Sequence, residues 1–174
     1  MPTVVDGTAL EKLTHGVLGY ARAVNLKLRS LSLNLPFGLG GVELEVSDAE
    51  RRAAWQLYIE FATRVTAHQL EPGGGSAEEA LDSLYSLFTV TRGVLREAGP
   101  EVGRNPDALG PLAIRVLNEG LRPFLVRWHT ERLAMGQSEM PAERRRAFES
   151  ELEELRHGLV QYVDALAQIA GVGS

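Results

Sequence analysis

The stretch PAERRRAFESELEELRHGLVQYVDALAQIAG, residues 141–171, has the clearest helical pattern of the chain. It begins with a proline, which suits the first position of a helix, and it ends with a glycine, which suits the position just after the last one. Between these ends, apolar residues recur every three or four positions and form one stripe on a helix of about 30 residues, or ~45 Å. Such a stripe can be buried only against partner helices of similar length. Its members are Phe148, Leu152, Leu155, Leu159, Val163, Leu166 and Ala170.

Two more helices have recognisable N-terminal signals. Ser47 and Glu50 form a capping box, in which the serine accepts a bond from the amide three residues on and the glutamate reaches back. The segment 76–79, Ser-Ala-Glu-Glu, repeats this pattern after the break at 72–75. A Gly-Pro pair at 99–100 ends the second of these helices. The apolar residues assigned to that helix are Leu81, Leu84, Tyr85, Phe88, Val94 and Leu95.

A fourth helix, from about residue 105, carries an interruption. Its apolar stripe continues to Trp128 at helical spacing. Pro123 lies inside the stripe, and a proline in a helix interior costs ~3 kcal/mol and frees the carbonyl group four residues earlier. Because Gly120 is also close, the pattern predicts a kink or a break at residues 119–122.

The N-terminal part is less regular. Leu10, Leu13, Val17, Ala21 and Val24 fit a helix. From residue 30 to residue 46 the apolar period changes to two on both sides of a Gly/Pro loop, which predicts a β-hairpin with one apolar face. An alternative within residues 26–46 extends the first helix through Leu28 and Leu31, whose spacing also fits.

The composition is that of one globular domain. The chain has 174 residues, 44% of them hydrophobic and 24% charged, with no cysteine and a net charge of −5. These values exclude disulfides and thiolate chemistry, and they argue against a nucleic-acid binder. No segment has the length or apolar character of a signal peptide or a membrane span, so we expect a cytoplasmic protein. The predicted fold is all-α in the main, as one domain over 1–174: an antiparallel bundle of four long helices over 47–171, with an N-terminal helix and a small hairpin over 1–46 packed on it.

The motifs that could carry chemistry are weak. Glu154 and His157 form an E-x-x-H pair, but they lie on the helix face away from the apolar stripe, where a metal site inside a bundle would not use them. The glycine-rich segments 38–43 and 73–76 lack the remaining residues of a nucleotide-binding loop and are typical of turns. Arg144–Arg146 lie among glutamates and are typical of a solvated helix face, with a site for a phosphate or an acidic partner as the alternative. We therefore predict no catalytic, cofactor-binding or metal-binding residue, and no enzyme.

The clearest candidate site is a cluster on the fourth helix. Arg122, Arg127 and Arg132 surround Trp128, and His129 follows it. Arginine and tryptophan are enriched at protein–protein hot spots, which makes these five residues the predicted interaction site. The alternative places the tryptophan in the core, with the arginines extending from its edges into solvent.

Residues 117–125, Leu-Asn-Glu-Gly-Leu-Arg-Pro-Phe-Leu, followed by Trp128-His129, resemble a stretch of uncharacterised bacterial helical proteins. The resemblance covers about 15 residues and implies a bacterial source, which the excess of arginine over lysine also favours. It implies no activity.

Three functions follow from these observations. The first is a non-enzymatic interaction or regulatory module, such as a bacterial adaptor or immunity component, whose partner is another protein or a second copy. An alternative is a cell-death or membrane-perturbing effector, in which Phe37 and Leu39 at the hairpin tip enter lipid instead of folding back on the helices. Another alternative is a small-ligand sensor with a pocket at the interruption between Gly120 and Pro123.

Overall fold

The computed structural model describes residues 29–67, 76–136 and 139–172. Over these residues the protein is mainly helical, with one small antiparallel sheet, as predicted. The predicted helix from Leu10 to Val24 lies outside the described residues. The elements are β1 (Arg29–Leu35), β2 (Gly40–Val46), α1 (Asp48–Ala67), α2 (Ala77–Ala98), a 3₁₀ turn (Pro100–Gly103), α3 (Leu109–Arg115), a π-helical segment (Val116–Leu121), α4 (Arg122–Met135) and α5 (Ala142–Ala170).

The predicted β-hairpin is confirmed. β1 pairs antiparallel with β2, and Leu31 lies opposite Leu44. Leu33, Leu44 and Val46 are buried against the helices, whereas the serines and glutamates between the apolar residues are exposed. The alternative helix through Leu31 is wrong, because the two-residue period gives the strands one apolar face that a helix would have scattered.

The helices pack around α1. The most extensive contacts of α1 are with α5, followed by those with α2, while α4 makes smaller contacts with α2 and α5. Large apolar side chains from all of these helices are fully buried between them, including Leu57, Phe61, Trp128, Phe148 and Tyr162. Each such side chain contributes about 1.5–3 kcal/mol by leaving water, so this core supplies the main stabilisation of the fold.

The capping box at the start of α1 is confirmed and has a second role. The Ser47 amide donates to Glu50 Oε2 at 2.9 Å, and the Glu50 amide donates to Ser47 Oγ at 3.2 Å. The other carboxylate oxygen of Glu50 accepts a bond at 3.2 Å from the amide of Leu109, the first residue of α3. Glu50 is buried, and one side chain therefore satisfies amides at the N-termini of two helices.

The expected break near Pro123 is replaced by a π-helical segment. Helical backbone continues from Leu109 to Met135, and the amide of Arg122 donates to the carbonyl of Leu117, five residues earlier. The sequence predicts a kink or a break at residues 119–122; the irregular segment lies there, and the break is wrong. The wide π turn absorbs the irregularity, and Pro123 then occupies the first turn of α4, where no backbone N–H is needed.

The hairpin tip is seated on two helical glycines. A Cβ added at Gly120 or at Gly158 would lie closer than 3.0 Å to ring carbons of Phe37. Phe37 has a positive φ of 60°, which turns its side chain from the loop onto this surface. Leu39 is also partly buried against the core, and its carbonyl accepts a bond from Arg115 Nη2 at 3.4 Å. The lipid-inserting alternative requires an exposed tip, whereas the structure packs Phe37 and Leu39 against the helices.

Candidate interaction surface

Trp128 belongs to the core. Its side chain is 0% exposed, its ring packs edge to face on Phe148 at 5.1 Å, and its Nε1–H donates to Glu151 Oε2 at 2.9 Å. The predicted interaction surface includes Trp128, and this part of the prediction is wrong because the side chain is buried. The physical reason is that an indole can bury all of its apolar area once a nearby carboxylate accepts its N–H.

Arg127 covers the edge of this core. Its Nη1 lies 2.6 Å from Glu151 Oε1, and its guanidinium lies 5.2 Å from the centre of the Trp128 ring. Arg144 approaches the same ring at 5.8 Å and forms an ion pair with Glu131, which also lies 3.7 Å from Arg127. Arg127 is thus engaged within its own chain, as in the alternative interpretation of the cluster.

Arg132 links two helices. Its Nη2 lies 3.6 Å from Glu78 in the first turn of α2, and its Nη1 donates to the carbonyl of Gly136 at 3.1 Å. The structure therefore separates the predicted cluster: Trp128, Arg127 and Arg132 hold α4 to its neighbours, whereas Arg122 and His129 lie elsewhere.

Arg122 and His129 line a groove of about 620 Å³ between α2 and α4. The groove exposes apolar area, since Tyr85 is 65% exposed and Val126 is 59% exposed. We call this region the α2/α4 face. Its lining residues are Leu81, Asp82, Tyr85, Phe88, Arg92, Arg122, Leu125, Val126 and His129.

The charged groups of the α2/α4 face are not neutralised within the described part of the chain. The Arg122 guanidinium lies 5.2 Å from the centre of the Phe88 ring, and its Nε donates to the Asn118 side chain at 3.0 Å. Arg92 donates to the Phe88 carbonyl at 3.1 Å. Within residues 29–67, 76–136 and 139–172, neither arginine forms an ion pair, and Asp82 forms none either. The face therefore offers charge as well as apolar area to a ligand.

The sequence pattern does not predict that Tyr85 is exposed at the centre of this face. It places Tyr85 on the apolar stripe of its helix together with Leu81 and Leu84. The buried residues of α2 follow a narrower line through Leu84, Leu87, Thr91 and Val94, which leaves Tyr85 one position off the line. The available signal was Asp82, which lies three residues before Tyr85 on the same side of the helix.

The E-x-x-H pair lies on the outer face of α5. Glu154 and His157 are exposed, and His157 Nδ1 lies 2.9 Å from the carbonyl oxygen of Glu153. A hydrogen bond from Arg156 lowers the pKa of Glu153, which keeps that carboxylate charged. Across the described ranges, no three histidine, aspartate or glutamate side chains come together in a way that could hold a metal ion.

None of the described helices is both long enough and apolar enough to cross a bilayer. Comparison with known proteins finds no matching family model, no matching curated protein and no matching solved structure.

Proposed function

We propose that the protein is a non-enzymatic interaction module of the bacterial cytoplasm, with a role as an adaptor or immunity component, and that it binds a protein chain through the α2/α4 face. The observation that carries this proposal is the exposure of Tyr85 and Val126 beside Arg92 and Arg122, which have no carboxylate partner in the described ranges. Tyrosine and arginine around an apolar centre are the residues that contribute most at protein interfaces.

The energetics of the face favour a protein ligand. Tyr85 and Val126 lose contact with water only when something covers them, and each buried methylene group gains about 0.8 kcal/mol. Arg122 is already held over Phe88 by the ring and by Asn118, so little side-chain entropy is lost when it binds an acidic group.

We also propose that the four long helical segments form an antiparallel bundle, which would hold the face rigid. The contacts that support opposite directions for α1 and α5 are Arg51 beside Gly171 and Phe61 against Tyr162 at 5.1 Å. For α2 and α4 the supporting contacts are Glu78 with Arg132 and Phe88 with Arg122.

The helix directions can be measured with spin labels, since the chain has no native cysteine to remove. Labels at Arg52 and Gln168 should be close. Labels at Arg52 and Ser150 should be farther apart by about 20 Å, because positions 150 and 168 are ~27 Å apart along the helix axis and the two helix axes are themselves ~10 Å apart. Equal distances for the two pairs would overturn the antiparallel arrangement.

The interaction function is tested by photo-crosslinking in cells. A photoreactive amino acid at Tyr85 should give covalent protein adducts, and one at Gln161, which is exposed on α5, should give none. The adducts at position 85 should disappear when Val126→Glu is added, because a charge then replaces apolar contact area. Equal labelling at the two positions, or no adduct at position 85, would contradict the proposal.

A second candidate, the small-ligand sensor, is favoured by a cleft beside the π-helical segment. The cleft has a volume of about 480 Å³, and Phe37, Gly120, Pro123 and Arg127 are among the residues that line it. A ligand at 100 times its dissociation constant would stabilise the chain by about 2.7 kcal/mol, so a thermal-shift screen with small metabolites would detect it. A hit should lose its effect in Arg127→Ala but not in Arg122→Ala, since only Arg127 lines the cleft.

A further inference from the structure

The outward side of α2 carries a charge pattern that is complementary to the same pattern running in the opposite direction. Its N-terminal half is acidic, its middle holds Tyr85, and its C-terminal half is basic. Residues at equal distances from Leu87, near the middle of this 22-residue helix, have complementary character. The matched and exposed pairs are Glu78 with Arg96, Asp82 with Arg92, and Tyr85 with Thr89.

We propose that a second copy of this chain covers the α2/α4 face, in a symmetric dimer whose two α2 helices run antiparallel across a two-fold axis near Leu87. A two-fold axis places the same patch on both subunits, so the patch must be complementary to itself. The pattern on α2 meets this condition, because the axis brings Asp82 of one copy level with Arg92 of the other. The proposal rests on the proposed function and names its partner.

The apolar part of the face fits the same axis. Tyr85 lies two residues from Leu87 and is the most exposed aromatic side chain of the described residues, so the two copies of it meet at the centre. Val126 lies beside it on α4 and widens the apolar patch. Apolar area at the centre with charges toward the ends is the usual arrangement of a protein interface.

Gly93 gives independent support. It lies inside α2 on the exposed side, and among the described residues no atom other than those of its chain neighbours and its own helical backbone comes within 4 Å of the position that a Cβ would take. Glycine inside a helix costs about 0.5–1 kcal/mol relative to alanine, and no close contact within the described part of the chain requires it here. In the antiparallel dimer Gly93 lies near the level of Asp82 of the other copy, where a missing side chain lets the helices approach.

An ion pair within one chain competes with only one of the pairs expected between the two copies. Glu78 lies 3.6 Å from Arg132 of its own chain, so the Glu78–Arg96 pair competes with that contact. Asp82, Arg92 and Arg96 have no ion pair among the residues that the structure describes. The pair of Asp82 with Arg92, which occurs twice in the dimer, is therefore the decisive one.

The test is sedimentation equilibrium of the full chain at low ionic strength, from micromolar to millimolar concentration. Wild type should form a species of twice the 19.0 kDa chain mass. Asp82→Arg loses both pairs and opposes arginine to arginine, so its dissociation constant should rise about tenfold or more. The matched control Glu97→Arg changes the net charge equally on the same helix, at a position without a charged mate, and should shift the constant less than about threefold.

Complementation makes the test specific. Arg92→Asp alone should weaken the dimer about as much as Asp82→Arg does, but an equimolar mixture of the two variant chains should form a heterodimer with an affinity near that of wild type, because each acidic residue is again level with an arginine. Circular dichroism of each variant checks its helix content. A monomeric wild type, or a mixture that stays monomeric while both chains are folded, would overturn the dimer. Adducts of position 85 with an unrelated protein would in that case leave the interaction function standing.

Discussion

Gly93 and Gly158 both lie inside long helices, but their surroundings differ. No described side chain comes near the position of a Cβ at Gly93, whereas Gly158 lies against the ring of Phe37. Gly93→Ala should raise the free energy of unfolding of the monomer by about 0.5–1 kcal/mol, because alanine restricts the unfolded chain and favours helix. Gly158→Ala should lower it by about 1–3 kcal/mol, because the added methyl group overlaps the ring.

Urea denaturation of dilute protein measures both changes, and Gly93→Ala is the matched control for helix propensity. The double variant Phe37→Ala/Gly158→Ala should show a coupling of about 1 kcal/mol or more between the two positions. Additive effects would mean that the ring does not rest on Gly158.

Tyr162 presents a second case in which one side chain decides stability. Its ring is buried against Phe61, and its hydroxyl group finds no hydrogen-bond partner among the described residues. Removal of that hydroxyl in Tyr162→Phe should therefore stabilise the fold by about 1 kcal/mol. Tyr85→Phe, at an exposed position, should change stability by less than about 0.5 kcal/mol. A loss of stability in Tyr162→Phe would show that the hydroxyl is satisfied.

The same burial predicts a loss of stability in alkali. Burial raises the pKa of Tyr162 in the folded chain, so the unfolded chain releases the phenolic proton first. The contribution of Tyr162 to stability is therefore fully present below about pH 10 and falls by up to about 1.4 kcal/mol for each further pH unit. Unfolding free energies measured on both sides of pH 10 should show this fall in wild type and a smaller one in Tyr162→Phe.

At the scale of elements, the helix starts depend on very few groups. Glu50 serves the N-termini of α1 and α3, whereas Ser76 serves only α2, where it accepts a bond from the Glu78 amide at 3.2 Å. Ser76→Ala should cost about 0.5–2 kcal/mol, the usual value for one cap. Glu50→Ala should cost more, about 3 kcal/mol, because the buried Leu109 amide and the part-buried Ser47 amide both lose their acceptor.

Thermal and urea unfolding of these two variants would measure the difference. Glu50→Gln keeps one acceptor oxygen and should fall between wild type and Glu50→Ala. Equal losses in Ser76→Ala and Glu50→Ala would show that the bond to Leu109 contributes nothing.

Local signals in the sequence were sufficient to predict most elements. The hairpin, the start of α1 at Ser47 and the end of α5 at Gly171 depend on residues next to each other in the chain, and the structure has them as predicted. The site depended on distant contacts. The approach of Glu151 from α5 gives the Trp128 N–H its acceptor in the core, and no periodicity within one helix contains that information. The exposure of Tyr85 has a local signal, because Asp82 lies on the same side of α2.

At the scale of the whole molecule, the arginines of α4 divide into a structural group, Arg127 and Arg132, and a binding group, Arg122. Glu151 accepts the Trp128 N–H and pairs with Arg127, so Glu151→Ala leaves a buried donor unsatisfied and should cost about 1–3 kcal/mol. Arg122 rests on the surface, so Arg122→Ala should change stability by less than about 0.5 kcal/mol.

Binding should respond in the opposite way. Arg122→Ala should weaken crosslinking from position 85, because it removes a charge from the α2/α4 face, whereas Glu151→Ala should leave crosslinking unchanged at a temperature where the variant is folded. Urea unfolding and the crosslinking assay, applied to the same two variants, measure the two effects separately. If each of the two variants lost both stability and binding, binding at the α2/α4 face would depend on the fold as a whole. The arginines of α4 could then not be divided into a structural group and a binding group.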